Sequence, residues 1–568
     1  MPGGLMQIVA KGAQDQLVSG NPSFTYFRSM YKRHTDFAME HFRLNFITTN
    51  LAIPASGSLS LRAKVDRNAQ LLNDCYLSIT LPNIFSPVVP VTTVPSHLNQ
   101  SSNAIGYEFE WIPNIGYNMI NYVALIVNGQ EIVRHTGEWM KLYAALNFDA
   151  NKKAKINELV GNVPEMTDPA NAWGRMNQYP HAISTSTPAE PSIQGRILTI
   201  PFHFWFCEDV GSALPLIAMQ YSQVEFVVEL TNMYSLFTVL DVRPTVNGVT
   251  NPAFGTRIAP DTGDITTFSM STFLSPPTTS PPRPSNPSLT LWSTNAFIEC
   301  NYIFLDDTEL THIAKSEHSF IIPQVELVST FGEHGPSNDL ELTMRNLCKR
   351  IVWVAQRSDR ALQNDVDNYT NWANANQPPL TSNTQFMTPW YSSGSALSTG
   401  VSQRDILLDS SIILDGKERF NYKQTEFFSR IQNYRHETGR TIVDMPGIYS
   451  YSFALDNNLI QPAGSINGSM FNRTILRNSY VEPPYSPATG SGTVCVLKDT
   501  VFDPKPMIVN PAAVGTDGKL LYAANDVVTI VQKSSGQTYQ YTFNVRAYTE
   551  SYNFLRVLGG IANVVFST

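Results

Sequence analysis

The chain has 568 residues, of which 42% are hydrophobic and 15% charged, and its formal net charge at pH 7 is −8. This length exceeds what one ordinary hydrophobic core supports, so we expect two or more domains. The negative charge argues against a general nucleic-acid-binding protein, because such proteins normally present a basic surface.

The cysteines and apolar segments bear on the cellular compartment. The five cysteines are widely spaced, odd in number and free of any CxxC pattern, which indicates small buried side chains in a reducing compartment. They predict neither a disulfide framework nor a zinc site. The first apolar residues, Leu5 to Ala10, are interrupted by Gln7 and followed by Lys11, so no signal peptide is predicted. Because no apolar run approaches the roughly 20 residues of a membrane span, we expect a soluble chain on the cytosolic side.

The N-terminus divides into an arm and a first strand. Residues 1–25 have little periodicity and are punctuated by glycine and other small residues, which indicates an extended arm. Beyond the arm, aromatic residues are interspersed with Arg28, Lys32, Arg33 and His34. We interpret this segment as an amphipathic strand with solvated basic residues. The alternative is a contact surface for an acidic or membrane-side partner.

A hairpin with a strong turn signal follows in the first half of the chain. Apolar residues from Val123 to Val127 lead into Asn128 and Gly129, which adopt the positive φ of a type I′ turn at low cost. A second short run, Gln130 to Arg134, follows the turn, and Thr136 then opens a helical pattern. The sequence therefore predicts strand, tight turn, strand and helix in this order.

Periodicity and turn signals predict the remaining elements. The other predicted strands and helices are strands at Ser58–Val65, Cys75–Leu81, Ile197–Phe206, Gln223–Leu230, Ser319–Val328 and Lys349–Ala355, and helices at Asn151–Val160 and Asp306–Ala314. The proline-rich residues 236–290 are predicted to form a long surface loop inside the first domain, because a strand pattern resumes at Ala296. We predict an arm at 1–25, a first domain at 26–312 and a second domain at 313–568.

The hairpin signal returns in the second half of the chain. Ile412 to Leu414 lead into Asp415 and Gly416, another type I′ pair, and a Thr-Glu-aromatic helix start follows as it does in the first half. The two turn glycines lie 416 − 129 = 287 positions apart, about half the chain. This repetition predicts a duplicated domain, in which Asn128, Gly129, Asp415 and Gly416 are structurally critical turn residues.

Several blocks of sequence carry a family resemblance. Residues 3–40 contain, in order, GG-L-x-Q, GAQD, L-x-x-GNP and YKRHT-x-FAME, and later blocks are PFHFWF, NYIFLD, IYSYSFAL and YNFLRVLGG. This ordered set resembles the major capsid proteins of large icosahedral nucleocytoplasmic DNA viruses. The resemblance touches both ends and both halves of the chain, whereas the loops at roughly 86–106, 236–290, 358–399 and 480–535 show none.

The resemblance implies a fold and a function. The fold would be all-β, with two tandem antiparallel eight-stranded jelly rolls, long loop insertions and few short helices. The protein would be a structural major capsid protein and not an enzyme. It would form pseudo-hexagonal homotrimers, the capsomers, that tile the icosahedral shell of a large double-stranded DNA virus.

The same resemblance implies partners and a location. The expected partners are other copies of the chain within the trimer, neighbouring trimers, and minor capsid and penton proteins. The N-terminal arm would lie at the inner side of the shell, within reach of the internal viral membrane, and no direct genome binding is expected. The chain would be assembled in the host cytoplasm and end up in the virion.

The sequence offers no catalytic or metal-binding motif. It contains no phosphate-binding loop and no G-x-S-x-G, G-x-G-x-x-G or HExxH motif, and its histidines are too scattered for a metal site. We therefore predict no catalytic residue, no metal and no cofactor. Adjacent carboxylates such as Glu208 and Asp209 would point to opposite faces of a strand, which argues against a glycosidase pair.

Two features keep other interpretations open. In the absence of a signal peptide, four N-x-[ST] glycosylation sequons are interpreted as chance matches; they lie at Asn99, Asn368, Asn467 and Asn472. The PFHFWF aromatics favour core packing, although they also fit a sugar-stacking platform. The alternatives to a major capsid protein are a carbohydrate-active or lectin-like β-sandwich protein, and a minor or penton virion protein without a duplicated hairpin.

Overall fold

The fold is seen in a computed structural model. It describes residues 3–48, 50–86, 88–90, 104–182, 190–240, 245–246, 249–250, 257–260, 270–274, 276, 292–372, 375, 404–459, 461–481, 491–495, 500–502, 506–508, 520–522, 527–532 and 541–566. Asn99 and most of the four loops without family resemblance lie outside the described residues.

Eight strands in the first half form two sheets around one core. They are β1 (Phe37–Asn45), β2 (Leu59–Lys64), β3 (Leu71–Thr80), β4 (Ile120–Val127), β5 (Gln130–Thr136), β6 (Ile197–Pro201), β7 (Val224–Leu230) and β8 (Ala296–Leu305). One sheet has the order β1-β8-β3-β6 and the other has the order β2-β7-β4-β5, with antiparallel pairing throughout. Strands that alternate in this way between two sheets define a jelly roll.

The second half repeats this order strand for strand. Its elements are β9 (His318–Glu333), β10 (Asn338–Leu342), β11 (Leu347–Arg357), β12 (Leu407–Leu414), β13 (Lys417–Glu418), β14 (Ile448–Ser452), β15 (Thr474–Tyr480) and β16 (Phe543–Leu558), with β17 (Ile561–Val564) added beside β16. The sheets are β9-β16-β11-β14 and β10-β15-β12-β13. The predicted fold class, two tandem eight-stranded jelly rolls, is therefore confirmed.

Helices are few and short. The ones used below are α1 (Gly3–Val9), α2 (Asp15–Ser19), α3 (Gly137–Asn147), α4 (Ala150–Leu159), α5 (Trp205–Glu208), α6 (Asp307–Lys315), α7 (Gln432–His436) and α8 (Thr441–Asp444). The remaining helical turns are Ile115–Asn118, Pro164–Thr167, Ala172–Gly174, Val210–Ser212, Met233–Ser235, Met270–Leu274, Ser358–Gln363, Phe427–Ile431 and Gly468–Met470. Helices were predicted where α3, α4 and α6 lie. The predicted domain boundary at 312/313 falls inside α6 and stays a prediction.

Several local predictions differ from the structure. The amphipathic strand predicted to carry Arg28 and His34 begins only at Phe37. The arm at 1–25 was predicted to be extended, but it contains the exposed helices α1 and α2. The strand predicted from Ile197 to Phe206 ends at Pro201, and α5 begins four residues later. Proline has no backbone N–H to donate to a neighbouring strand, so the strand ends at Pro201. The aromatic residues that follow are buried without being part of a strand.

A further difference concerns the long loops, parts of which form short strands. Within the predicted loop at 236–290, Phe237–Leu240 pairs with Phe109–Trp111 and Arg257–Ile258 in a small sheet. The other short strands are Ala52–Ile53, Val88–Pro90, Ala104–Gly106, Leu214–Pro215, Thr245–Val246, Val249–Thr250, Trp292–Ser293, Lys423–Gln424, Ile466–Asn467, Ser491–Cys495, Thr500–Phe502, Pro506–Ile508, Leu520–Tyr522 and Val527–Gln532.

Candidate functional site: the junction of the two jelly rolls

Each predicted turn joins the fourth and fifth strands of its own jelly roll. Asn128 and Gly129 lie between β4 and β5 with φ of 53° and 80°, and Asp415 and Gly416 lie between β12 and β13 with φ of 46° and 79°. A Cβ on either glycine would meet nothing within 4 Å, so backbone conformation and not space restricts these positions. Their structural importance stays a prediction.

Helix α3 follows the first hairpin and begins at a tight backbone contact. The Oγ1 atom of Thr136 accepts a hydrogen bond of 3.0 Å from the Trp139 N–H and caps the helix. At Gly137, a Cβ would lie 2.1 Å from the carbonyl oxygens of Tyr117 and Ile120. Only glycine therefore allows the helix to start this close to β4.

The apolar face of α3 packs on the second jelly roll. This contact forms a core of its own between the two halves, separate from the cores of the jelly rolls. Its fully buried members are Trp139, Leu142, Ala145, Leu146, Val352, Val354, Tyr369, Met445, Ile448 and Tyr548. Because α3 belongs to the first half and β11, β14 and β16 to the second, the helix fixes one jelly roll against the other.

Glu138, on the first turn of α3, anchors the helix through charge. Its Oε2 atom accepts hydrogen bonds from Arg546 Nε at 2.6 Å and from the Tyr548 hydroxyl at 2.5 Å, and Oε1 accepts one from the Tyr369 hydroxyl at 2.7 Å. Burial alone would raise the pKa of Glu138, but the charges of Arg546 and Lys141 hold it below its ordinary value. The carboxylate is thus ionised and fully paired.

A second ionic network lies at the C-terminal end of α3. The Arg350 side chain is 0% exposed; its Nη1 atom donates to Glu437 Oε2 at 2.7 Å and to Asn147 Oδ1 at 2.9 Å, and its Nε donates to Glu550 Oε2 at 2.5 Å. Burial would lower the pKa of Arg350, yet the two carboxylates raise it. Such a paired network adds little net stability but makes the loss of any one member costly.

The C-terminal hairpin fastens the second jelly roll to the first. Ser222 Oγ accepts hydrogen bonds from Asn128 Nδ2 at 3.1 Å and from the Ala562 N–H at 3.0 Å, and the Tyr221 N–H donates to Gly560 O at 3.0 Å. The ends of β9, β16 and β17 also complete the core of the first jelly roll, through Ile322, Leu555, Val557 and Ala562.

A cavity of about 220 Å³ lies between the jelly rolls. His135, Trp205, Lys349 and Tyr552 are among its lining residues. His135 is 2% exposed, and neither of its ring nitrogens has a hydrogen-bond partner among the described residues. Burial, with a further contribution from the nearby His203, lowers the pKa of His135 to about 3, so the imidazole is neutral at pH 7.

The sequons and the PFHFWF block lie in contrasting environments. Asn368 is buried, and its Nδ2 donates to Asp365 Oδ2 at 3.0 Å, whereas Asn467 and Asn472 are exposed. Phe202, His203, Phe204, Trp205 and Phe206 are all buried, consistent with core packing of the block.

Two kinds of feature are absent from the part of the chain that the structure describes. No cluster of three or more His, Cys, Asp or Glu side chains is placed to hold a metal ion. No helix in the same described ranges has the length and apolar character needed to cross a membrane.

The sequence did not reveal the charged residues of the junction. Arg350 and Arg546 occur at or within strand patterns where a charged side chain would be predicted to face solvent. Glu138 carried a weak signal, since it is the acidic residue repeated after both hairpins. The partners of these residues lie 87 to 410 positions away in the chain and could not be predicted from sequence spacing.

Comparisons with known proteins agree with this architecture. A model described as major capsid protein N-terminus matches residues 25–270, and one described as large eukaryotic DNA virus major capsid protein matches residues 309–490. The chain is 25% identical over 539 residues to the major capsid protein of Phaeocystis pouchetii virus, covering 84% of this chain and 92% of that protein. It is 24% identical over 575 residues to the major capsid protein of Paramecium bursaria Chlorella virus 1, covering 100% of both.

A solved structure supports the fold directly. The quasi-atomic model of the PBCV-1 virus capsid matches with a TM-score of 0.58 at 18% identity, covering 96% of this chain and 100% of that chain. Two tandem jelly rolls are the fold of the double jelly-roll capsid proteins. The chain belongs to the major capsid proteins of large eukaryotic DNA viruses, so the predicted family is confirmed, and its relatives are structural proteins and not enzymes.

Proposed function

We propose that this capsid protein acts as a homotrimer, a pseudo-hexagonal capsomer that tiles the icosahedral shell of a large double-stranded DNA virus. One observation carries the proposal: α3 joins the two jelly rolls, while the corresponding helical segment of the second jelly roll leaves apolar side chains uncovered. That segment runs from Phe427 through α7 and α8 to Asp444. Its exposed apolar residues are Ile431, Tyr434, Ile442 and Val443.

A second copy of the chain is the proposed cover for this surface. By analogy with α3, the segment would pack on the outer face of the sheet β1-β8-β3-β6 of the next copy, whose edge strand exposes Phe37 and Met39. Such a contact joins unlike surfaces, and contacts of this type close into a ring when the rotation per copy permits. Three copies would then place six similar jelly rolls around one axis.

Further parts of the assembly are proposed on the same basis. We keep the division into an arm at 1–25 and domains at 26–312 and 313–568. The arm is followed by exposed Tyr26, Phe27 and Tyr31, with Arg28 between them and Lys32 directly after them, a combination suited to an anionic membrane surface. The arm is proposed to face the interior of the shell and contact minor capsid proteins or the internal membrane.

Assembly is proposed to take place in the host cytoplasm, with neighbouring trimers and penton proteins as further partners in the virion. Contacts between trimers can be individually weak, because each trimer makes several at once. No direct genome binding is proposed, in keeping with the net charge of −8.

Light scattering on the purified protein tests the trimer. The expected mass is about three times the chain mass of 63.3 kDa. The double variant Ile431→Asp, Tyr434→Asp should be monomeric, because two carboxylates cannot be buried without partners. The control Met470→Asp changes an exposed apolar side chain outside the segment and should stay trimeric. A wild-type protein that is monomeric at micromolar concentration would contradict the proposal.

A further inference from the structure

Three cysteines that are far apart in the sequence meet in the first jelly roll. Cys75 on β3 lies directly opposite Cys300 on β8. Cys207 lies on α5, and the Phe202 N–H just before this helix donates to the Cys75 carbonyl oxygen at 2.9 Å. The thiols of Cys207 and Cys300 lie near the Cys75 thiol, and both raise its pKa. The fold therefore creates a thiol cluster that the spacing of the cysteines did not predict.

The three thiols differ in their access to solvent. Cys75 and Cys300 are 1% and 0% exposed, whereas Cys207 is only half-buried. A dissolved reagent therefore reaches the cluster through Cys207. Cys348, the other free cysteine in the described part of the chain, lies apart in the core of the second jelly roll, where burial raises its pKa to about 12.

Thiol–disulfide exchange is the chemistry that suits this cluster. The described side chains around it do not form a metal-binding group, and all three sulfurs are free thiols. Cys75 is near both other cysteines, opposite Cys300 in the sheet and beside the segment that leads into α5, so it is the common partner of the cluster. Cys207 supplies the accessible sulfur and Cys75 the adjacent buried one.

We propose that Cys207 and Cys75 form a disulfide when the protein leaves a reducing compartment for an oxidising one, and that this bond fastens α5 to β3. The inference rests on the proposed function, because a shell protein assembled in the cytoplasm is later exposed outside the cell. The bond closes a chain segment from residue 75 to residue 207. This segment includes β4, β5 and α3, so the bond restrains the elements that form the junction.

The oxidant is a small-molecule disulfide, and the reaction takes place in two thiol–disulfide exchange steps. The Cys207 thiolate attacks one sulfur of the oxidant, which forms a mixed disulfide and releases one small thiol. The Cys75 thiolate then attacks the sulfur of Cys207 and expels the second small thiol. Two electrons pass from the protein to the oxidant, and the two thiol protons end on the released small thiols at neutral pH.

Burial affects the rate of the second step. It raises the pKa of the Cys75 thiol well above its ordinary value, and the neighbouring Cys207 and Cys300 raise it further. Because the thiolate is the attacking species, closure is slow at neutral pH. We therefore expect the closing step to be the slower of the two steps.

Oxidation of the purified full-length protein with oxidised glutathione tests the inference. Peptide mapping by mass spectrometry should show a Cys75–Cys207 cross-link, and thiol counting after denaturation should show that two thiols are lost. The unfolding midpoint should rise by about 5 °C, because the bond limits the unfolded chain, and dithiothreitol should reverse the rise. Cys207→Ser should abolish the cross-link and the shift, whereas Cys348→Ser should behave as the wild type.

Two results would overturn the inference: glutathione that remains attached to Cys207 without resolution, or a full count of free thiols after prolonged oxidation. The wild-type peptide map does not depend on the folding of any variant. Light scattering of the reduced and oxidised samples separates this inference from the proposed function. A trimer whose thiols do not pair contradicts the disulfide alone, whereas a monomer contradicts the trimer whatever its thiols do.

Discussion

Asn128 in the first jelly roll and Asp415 in the second make the same two hydrogen bonds. Asn128 N–H donates to the Gln223 carbonyl at 2.9 Å, and its Oδ1 atom accepts from the Gln223 N–H at 3.0 Å. Asp415 N–H donates to the Arg473 carbonyl at 3.0 Å, and its Oδ1 accepts from the Arg473 N–H at 2.9 Å. Gln223 and Arg473 each directly precede the seventh strand of their jelly roll, so the two turns are bound to equivalent places.

This relationship predicts the effect of removing either side chain. Asn128→Ala and Asp415→Ala should each lower the free energy of unfolding by about 1–2 kcal/mol, because a backbone N–H loses its acceptor. Asn128→Asp and Asp415→Asn keep the Oδ1 acceptor and serve as controls, with smaller losses. Chemical denaturation measures the difference; equal losses in the alanine and acceptor-keeping variants would show that the bond contributes nothing.

The turn glycines should tolerate substitution according to backbone conformation. Gly129→Val and Gly416→Val should cost about 1–2 kcal/mol or more, because a β-branched residue is disfavoured at positive φ. Gly129→Asn and Gly416→Asn should cost less, since asparagine adopts this region more readily. Unfolding midpoints of the four variants test this. An unchanged midpoint in Gly129→Val would mean that the hairpin relaxes to another turn.

The Glu138 carboxylate should be more important for stability than an exposed ion pair. Glu138→Ala leaves the Arg546 guanidinium unpaired at the junction and should cost about 3–5 kcal/mol. The matched control is Glu317→Ala, which breaks the solvent-exposed pair with Arg556 and should change stability far less, because water screens this pair. Thermal unfolding compares the two. Similar small losses would mean that water replaces the carboxylate at Arg546.

His135 should make the junction sensitive to acid. Its pKa is about 3 in the folded protein against 6.5 for the free side chain, so the unfolded chain binds the proton first as the pH falls. Above pH 6.5 this pKa difference does not change the free energy of unfolding. Between pH 6.5 and 3 the free energy of unfolding falls by up to about 1.4 kcal/mol per pH unit.

Other buried groups change stability with pH in the opposite direction. The test therefore compares the stability change of the wild type with that of a His135 variant. Burial raises the pKa of Glu110 to about 8 and that of Asp405 to about 6, and these carboxyl groups favour the folded state as the pH falls. Wild type should therefore lose more stability between pH 7 and 5 than His135→Leu does. The exposed His34→Leu variant is the control and should follow the wild type. Parallel curves for wild type and His135→Leu would exclude His135 as the sensor.

Local sequence signals were sufficient for the fold class and for several elements. Two type I′ pairs at half-chain spacing predicted the duplication, since positive φ at two successive residues is strongly sequence-dependent. Helices were predicted at α3, α4 and α6, where periodicity and capping residues act within a few positions. The run ending in PFHFWF misled the strand prediction, because aromatic residues are favoured both in strands and in any buried turn.

The junction and the thiol cluster depended on tertiary structure. The sequence by itself determined which segments become strands, where the tight turns fall and which family the chain resembles, because each of these rests on neighbouring residues. Only the folded chain decided that Glu138 meets Arg546, that Arg350 lies between Glu437 and Glu550, and that Cys75 meets Cys207. Charges and thiols are compatible with solvent or with burial, and only the packing of distant strands determines which environment they receive.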